Sequence, residues 1–333
     1  MVCGRPFADS AEMSYRTAVG ATDSGKEHSL RDSELFPRRS SGAADLRSRL
    51  AESSILIAPG CFDGLSARVL EAAGHEAVFC GGFSVAASRL GLPDVGLLSY
   101  GEMLDQVRTT VSATSLPVIA DADTGYGNPI NAQRTLLGFE NAGAACVMIE
   151  DQQWPKRCGH TAGKQVVDRD EALARVRACV EIRERHELDV LIMARTDAAA
   201  SEGFEEALRR TDGFAAAGAD LTFLEAPESE AEMARYCSEV PGHKVANMVE
   251  DGRTPWLSPA ELTDIGYSMV LYPISLLLHG VQAMERAAKQ LLSGQSDDER
   301  ARFDEVRSLV GWPEYEEESA RYGDDEEKDS PND

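Results

Sequence analysis

Eight short apolar runs recur along this chain at a steady beat, and they restrict its fold more than any other feature. They are ILIAPG (55–60), AVFCGG (77–82), PVIADAD (117–123), CVMIED (146–151), VLIMARTD (190–197), LTFLEAP (221–227), KVANM (244–248) and SMVLYP (268–273). Each is too short for a helix and is bounded by turn formers, so each reads as a buried strand. Between them lie helix-like stretches such as DEALARVRACVEIRER (170–185) and GFEEALRRTDGFAAAGA (203–219), the latter with Gly218 where a helix C-cap is expected. Strands alternating with helices require parallel pairing and right-handed crossovers. The fold class is therefore α/β, and eight such units predict a closed (β/α)8 TIM barrel. An open doubly wound sheet is the rival. A glycine-rich phosphate loop opening the first helix would favour it, and APGCFDG (58–64) is not one.

The flanks differ from this middle. Residues 1–44 are rich in Ser, Arg, Gly and Asp without a sustained apolar period, which predicts a disordered N-terminal extension. Residues 45–295 are expected to form the catalytic barrel, and 296–333 a helical segment with an acidic tail. The chain carries 57 acidic and 33 basic residues, a formal charge of −24. That balance disfavours nucleic acid and anionic membranes as partners, because both need a positive footprint. Outside the tail, the excess of acid resembles the surface of proteins from salt-loving organisms. No apolar run approaches the about 20 residues needed to cross a bilayer, and the N-terminus lacks a signal-peptide core, so a cytoplasmic protein is expected. The seven cysteines are odd in number and contain no CxxC pair, which argues against a disulfide framework and a structural zinc site.

In such a barrel, chemistry sits at the C-terminal ends of the strands. Here the third run ends in Asp121 and Asp123, the fourth in Glu150 and Asp151, and the fifth in Arg195 and Asp197. The sixth ends in Glu225 and the seventh in Asn247. A single polar strand end is an ordinary helix cap, but five in succession predict one polar mouth. Asp121, Asp123 and Glu150 supply oxygen donors without clustered histidine or thiolate, the ligand chemistry of Mg²⁺, with Mn²⁺ as the alternative. Arg195 offers a fork suited to a carboxylate. A small polyanionic oxoacid is the implied ligand.

The segment EDQQWPKRCGHTAGK (150–164) follows the fourth run and gathers Lys156, Arg157, His160 and Lys164 around Cys158. Neighbouring cations favour a thiolate over a thiol of ordinary pKa, about 8.5. Gly159 and Gly163 would let the segment bend as a flap over the mouth. Cys61, Cys80, Cys146 and Cys179 sit in apolar contexts and read as core.

In this order, GLPD, DADTGYG, IED followed by KRCGH, MARTDA, EAP and ANMVEDGRTP resemble the isocitrate lyase and phosphoenolpyruvate mutase superfamily from about residue 53 to 292. The resemblance implies a (β/α)8 barrel whose eighth helix, SLLLHGVQAMERAAKQLL (275–292), swaps onto a neighbour, giving a homotetramer built from dimers. It further implies that Asp121, Asp123 and Glu150 hold Mg²⁺ and that Asp94 is a further active-site acid. Lys156, Arg157, Cys158, Gly159 and His160 would form the mobile gate. Gly81, Gly82, Phe83, Arg195, Glu225 and Asn247 would contact the substrate. The resemblance also implies that members with KRCGH or KKCGH cleave carbon–carbon bonds, with the cysteine, here Cys158, protonating the departing fragment.

The expected activity is thus Mg-dependent retro-aldol cleavage of a 2-hydroxy di- or tricarboxylate, of the 2-methylisocitrate or 2-alkylmalate type. Its products would be a 2-oxoacid and a carboxylic acid. Methylisocitrate lyases tend to read CGHRP and, at the second strand, Tyr-x-Ser-Gly; this chain reads Cys158-Gly159-His160-Thr161-Ala162 and Phe79-Cys80-Gly81-Gly82. Those differences point toward the dimethylmalate lyase and oxaloacetate hydrolase branch. Oxaloacetate hydrolysis or isocitrate cleavage is the alternative. Phosphonate chemistry and a non-catalytic dicarboxylate-binding barrel are the remaining ones.

Overall fold

The computed structural model describes residues 42–158, 163–295 and 299–322. Eight parallel strands close into a barrel in sequence order: β1 (Leu56–Cys61), β2 (Val78–Cys80), β3 (Val118–Asp121), β4 (Cys146–Glu150), β5 (Leu191–Thr196), β6 (Leu221–Leu224), β7 (His243–Asn247) and β8 (Met269–Tyr272). Every apolar run of the sequence forms one of them. Closure is made by β1 against β8, with Leu56 opposite Met269 and Pro59 opposite Tyr272. A Cβ on Gly60 would lie 2.0 Å from the Pro273 carbonyl oxygen, so the seam at the mouth tolerates only glycine there.

The helices are α1 (Gly42–Leu50), α2 (Gly64–Ala72), α3 (Gly82–Val85), α4 (Tyr100–Ala113), α5 (Pro129–Asn141), α6 (Arg169–Arg185), α7 (Ala198–Ser201), α8 (Phe204–Ala216), α9 (Glu230–Glu239), α10 (Pro259–Ile265), α11 (Ser275–Leu292), α12 (Phe303–Leu309) and α13 (Trp312–Tyr322). Asp63, Ser99, Asn128 and Ser258 cap α2, α4, α5 and α10 with reciprocal side-chain and backbone bonds, which fixes where the chain leaves the mouth and turns helical. Gly218 takes φ +98° just past α8, the left-handed conformation a helix C-terminus uses.

Inward-facing Phe79, Ile119, Met148, Met193, Phe223, Val245 and Leu271 fill the barrel, while outward residues such as Val78, Val118, Val147 and Ile192 pack against the helices. One expectation needs correction. The sequence predicts disorder to about residue 44, yet α1 begins at Gly42 and belongs to the interior cluster. Ala43, Leu46 and Leu50 share its buried stripe and close the barrel floor beside Leu56 and Ala145. Burying Leu46 and Leu50 contributes about 1.5–3 kcal/mol each. The sequence signal was weak because only three apolar residues at helical spacing mark a nine-residue helix. The rest of that stretch, 1–41, lies outside the described residues, as does the acidic tail from 323 onward.

Candidate active site

The acids form a tight shelf at the ends of β2 to β4. Asp121 Oδ2 accepts from Gly82 N–H at 3.0 Å, and its Oδ1 accepts from Asp123 N–H at 3.0 Å. This second bond holds Asp123 at φ +48°, a left-handed geometry that costs a non-glycine residue about 1–2 kcal/mol. A Cβ at Gly82 would meet Asp121 Oδ2 at 3.2 Å and Lys156 Nζ at 3.4 Å, so a bare backbone is needed against the shelf.

Lys156 reaches back from the flap into these acids. Its Nζ lies 2.5 Å from Asp94 Oδ1 and 2.7 Å from Asp123 Oδ1, and its side chain is only 4% exposed. Burial by itself would pull the ammonium down, but Asp123 and Asp94 outweigh it and hold Lys156 charged well above its ordinary value. Burial, with the Asp121 and Asp94 charges, pushes the Asp123 carboxyl up to about 6 in spite of Lys156. Burial also raises Glu150 well above the carboxylate range, and its Oε1 has no hydrogen-bond partner.

Among the described residues no three acid, histidine or cysteine side chains stand in metal-holding geometry, and Lys156 bridges Asp94 and Asp123. The donor set nevertheless fits a hard cation. Asp121, Asp123 and Glu150 present oxygens, Glu150 Oε1 without a hydrogen-bond partner, and burial raises the Asp123 and Glu150 carboxyls.

Arg195 closes the other side. Asp197 takes its Nε and Nη2 at 2.9 and 3.0 Å, so one edge of the fork is engaged by the protein rather than left for a ligand. Glu150 Oε2 lies 3.5 Å from Nε and Glu225 Oε1 3.8 Å from Nη2, and the guanidinium stacks 5.1 Å from the Phe223 ring centroid. Asn247 Nδ2 donates to Glu225 Oε2 at 3.2 Å. Not every strand-end acid faces the mouth. Asp151 turns outward, accepting from Thr196 Oγ1 at 2.6 Å and from Arg210 of α8 at 3.0 Å. Its role is to pin β4, β5 and α8 together.

These groups line one open pocket of about 620 Å³. Of the residues singled out in the sequence, Gly81, Gly82, Phe83, Asp94, Asp121, Glu150, Lys156, Arg157, Cys158, Arg195, Glu225 and Asn247 reach its wall. Asp123 stands just behind, through Lys156. Gly159 and His160 lie outside the described residues. Cys158 is half-buried, whereas Cys61, Cys80, Cys146, Cys179 and Cys237 are buried. The sequence reading missed an apolar wall made by Phe79, Phe223, Leu271, Pro273 and Ile274. Apolar residues at strand ends carry no signal that separates a pocket wall from a core.

The family model for phosphoenolpyruvate phosphomutase matches residues 46–292. The chain belongs to the phosphoenolpyruvate mutase/isocitrate lyase superfamily. Within that superfamily it is 41% identical to a 2,3-dimethylmalate lyase of Eubacterium barkeri over 81% of this chain and 94% of the relative. It is 43% identical to a probable 2-methylisocitrate lyase of Corynebacterium glutamicum over 73% and 78% of the two chains. Among solved structures, an oxaloacetate acetylhydrolase bound to 3,3-difluorooxalacetate superposes with a TM-score of 0.81 at 32% identity, covering 86% of this chain and 98% of that one. Superfamily membership accounts for the barrel; the chemistry has to be argued from the site.

Proposed function

We propose that this protein is a carbon–carbon lyase that cleaves a 2-hydroxy di- or tricarboxylate of the 2-alkylmalate or 2-methylisocitrate type into a 2-oxoacid and a carboxylic acid. The observation that carries this reading is that Cys158 lines the same pocket as Arg195 and the acids Asp121 and Glu150. A thiol, a guanidinium and a carboxylate shelf around one cavity are what a retro-aldol cleavage needs. The named relatives, a dimethylmalate lyase and a methylisocitrate lyase, support it.

Asp121, Asp123 and Glu150 would hold Mg²⁺, or Mn²⁺, which when bound supplies Lewis-acid polarisation of a 2-hydroxy carboxylate. The chain's own residues do the rest. Arg195, held by Asp197, orients a substrate carboxylate and meets charge that grows during cleavage. A pocket carboxylate takes the hydroxyl proton, with Asp94 assigned to this acid–base set. The electron pair of the C–C bond passes to the departing carbon as the 2-carbonyl forms. The Cys158 thiol then delivers its proton to that carbon. Lys156 and Arg157, beside it on the flap, offset the negative charge of the fragment, and the flap excludes water. Gly81, Gly82 and Phe83, with Glu225 and Asn247, shape the substrate's seat.

The solved oxaloacetate acetylhydrolase keeps oxaloacetate hydrolysis as a second reading. The apolar wall of Phe79, Leu271 and Ile274 favours the first, because oxaloacetate has no alkyl group to cover it. Incubating the Mg²⁺-loaded enzyme with 2,3-dimethylmalate, 2-methylisocitrate, isocitrate and oxaloacetate tests this. Pyruvate from either of the first two supports the proposal. Glyoxylate or oxalate alone redirects it, and no product with any acid would leave only a binding role.

The same reading includes a homotetramer in which α11 packs on a neighbouring copy. In support, Leu277 is the only buried residue on α11, while Leu278, Val281, Met284, Leu291 and Leu292 are exposed. Light scattering that gives a monomer mass would remove it. No helix among the described residues is long and apolar enough to cross a membrane.

A further inference from the structure

The flap that carries Cys158 leaves and rejoins the barrel through a narrow two-stranded neck. Gln152 pairs antiparallel with Val166. Gln153 N–H donates to Gln165 O at 2.8 Å, and Val167 N–H donates to Asp151 O at 2.9 Å. The side chain of Gln152 does something separate. Its Oε1 accepts from the Arg157 N–H at 2.9 Å, and its Nε2 donates to the Arg157 carbonyl oxygen at 2.8 Å. One carboxamide therefore closes on both polar groups of a single residue's backbone.

Gln152 is 1% exposed, whereas Arg157 is exposed, so a buried amide on the neck grips the backbone of an exposed flap residue. The grip falls one peptide bond before Cys158. Lys156, pinned between Asp94 and Asp123, fixes the adjacent residue independently. Gln152 is not among the residues lining the pocket. Its effect on the chemistry must pass through the flap backbone.

We infer that Gln152 is a positioning residue whose side-chain amide clamps the Arg157 backbone and thereby holds Cys158 against the pocket. Its consequence for turnover rests on the lyase reading above; the clamp itself does not. The carboxamide supplies the donor and the acceptor side by side: asparagine is a methylene shorter, and an ionised glutamate keeps the acceptor but turns a second oxygen on the Arg157 carbonyl.

The test compares wild type, Gln152→Glu, which preserves shape, and Gln152→Ala, each with two readouts. One is kcat and KM for 2,3-dimethylmalate cleavage. The other is the rate at which iodoacetamide alkylates Cys158, followed by peptide mass spectrometry, with and without oxalate and Mg²⁺. In both variants kcat is expected to fall about 30- to 100-fold while KM stays within about threefold, because a displaced donor harms the reaction more than ground-state binding. Protection of Cys158 by oxalate is expected to drop from about tenfold or more to less than about twofold as the flap loses its hold.

The five buried cysteines should remain unreactive in a folded variant, which separates a loosened flap from an unfolded barrel. Wild-type kcat and protection in Gln152→Glu would overturn the assignment, as would a wild-type thiol that oxalate fails to protect. If wild type cleaves none of the acids tested, the lyase reading falls, and the protection ratio alone still decides the role of Gln152.

Discussion

Lys164 Nζ donates to Asp197 Oδ1 at 2.6 Å, with both side chains almost wholly removed from solvent. The same carboxylate grips Arg195, so the returning arm of the flap and the pocket arginine share one anion. Burial would raise Asp197, but Arg195 and then Lys164 overcome it and hold the carboxyl below its ordinary value. Lys164→Met leaves a buried carboxylate short of one cation. Loss of such a partner is expected to destabilise the fold by about 3 kcal/mol, read as a lower urea midpoint with unchanged slope. An unchanged midpoint would show that Arg195 alone satisfies Asp197.

Replacing the pocket thiol separates binding from turnover. Cys158→Ser is expected to lower kcat about 100-fold or more, the usual scale for a general acid, and to leave oxalate binding by calorimetry within a few-fold. Unimpaired pyruvate release in this variant would remove the proton-donor assignment.

Chelation gives an independent check on the acid shelf. EDTA is expected to abolish product formation, and added Mg²⁺ or Mn²⁺ to restore it. Glu150→Gln replaces one oxygen of the proposed cation-holding carboxylate, whose Oε1 has no hydrogen-bond partner, with an amide nitrogen. A weaker Mn²⁺ affinity, by about tenfold or more in a direct titration, is the expected outcome. Equal affinity would place the cation elsewhere.

The charge cluster between α6 and α8 predicts a pH dependence. Arg169 above all, with Arg209 and Arg210, holds Glu206 down at about 2, against 4.5 ordinarily, with burial opposing. A carboxyl depressed by folding stabilises the native state above its unfolded pKa, and this is lost as pH falls through the folded value. Wild type should therefore exceed Glu206→Gln in unfolding midpoint at pH 7, with the gap closing between about pH 5 and 2. A gap that stays constant over that window would assign the effect to packing.

Much of the barrel and the polar rim of the candidate pocket were legible in the chain because the relevant signals are local. A parallel strand buried on both faces is a continuous apolar run, and a helix covering it repeats near every 3.6 residues. Asp121, Glu150, Arg195, Glu225 and Asn247 could be read as site residues because each ends a run. What stayed hidden depends on partners far away in sequence. Lys164 meets Asp197 across 33 residues, and Arg210 meets Asp151 across 59. Whether a strand-end acid serves the pocket, as Glu150 does, or ties elements together, as Asp151 does, depends on which face the barrel turns outward.

The amino-acid order by itself thus determined the repeating strand–helix unit, the count of eight and the polar rim, since these follow from periodicity and burial along short stretches. Only the closed barrel decided that Leu271, Pro273 and Ile274 wall a pocket, that Lys156 sits between Asp94 and Asp123, and that one glutamine amide grips the flap. Those are matters of three-dimensional proximity. Residues remote along the chain meet only when β8 closes on β1 and all strand ends share one mouth.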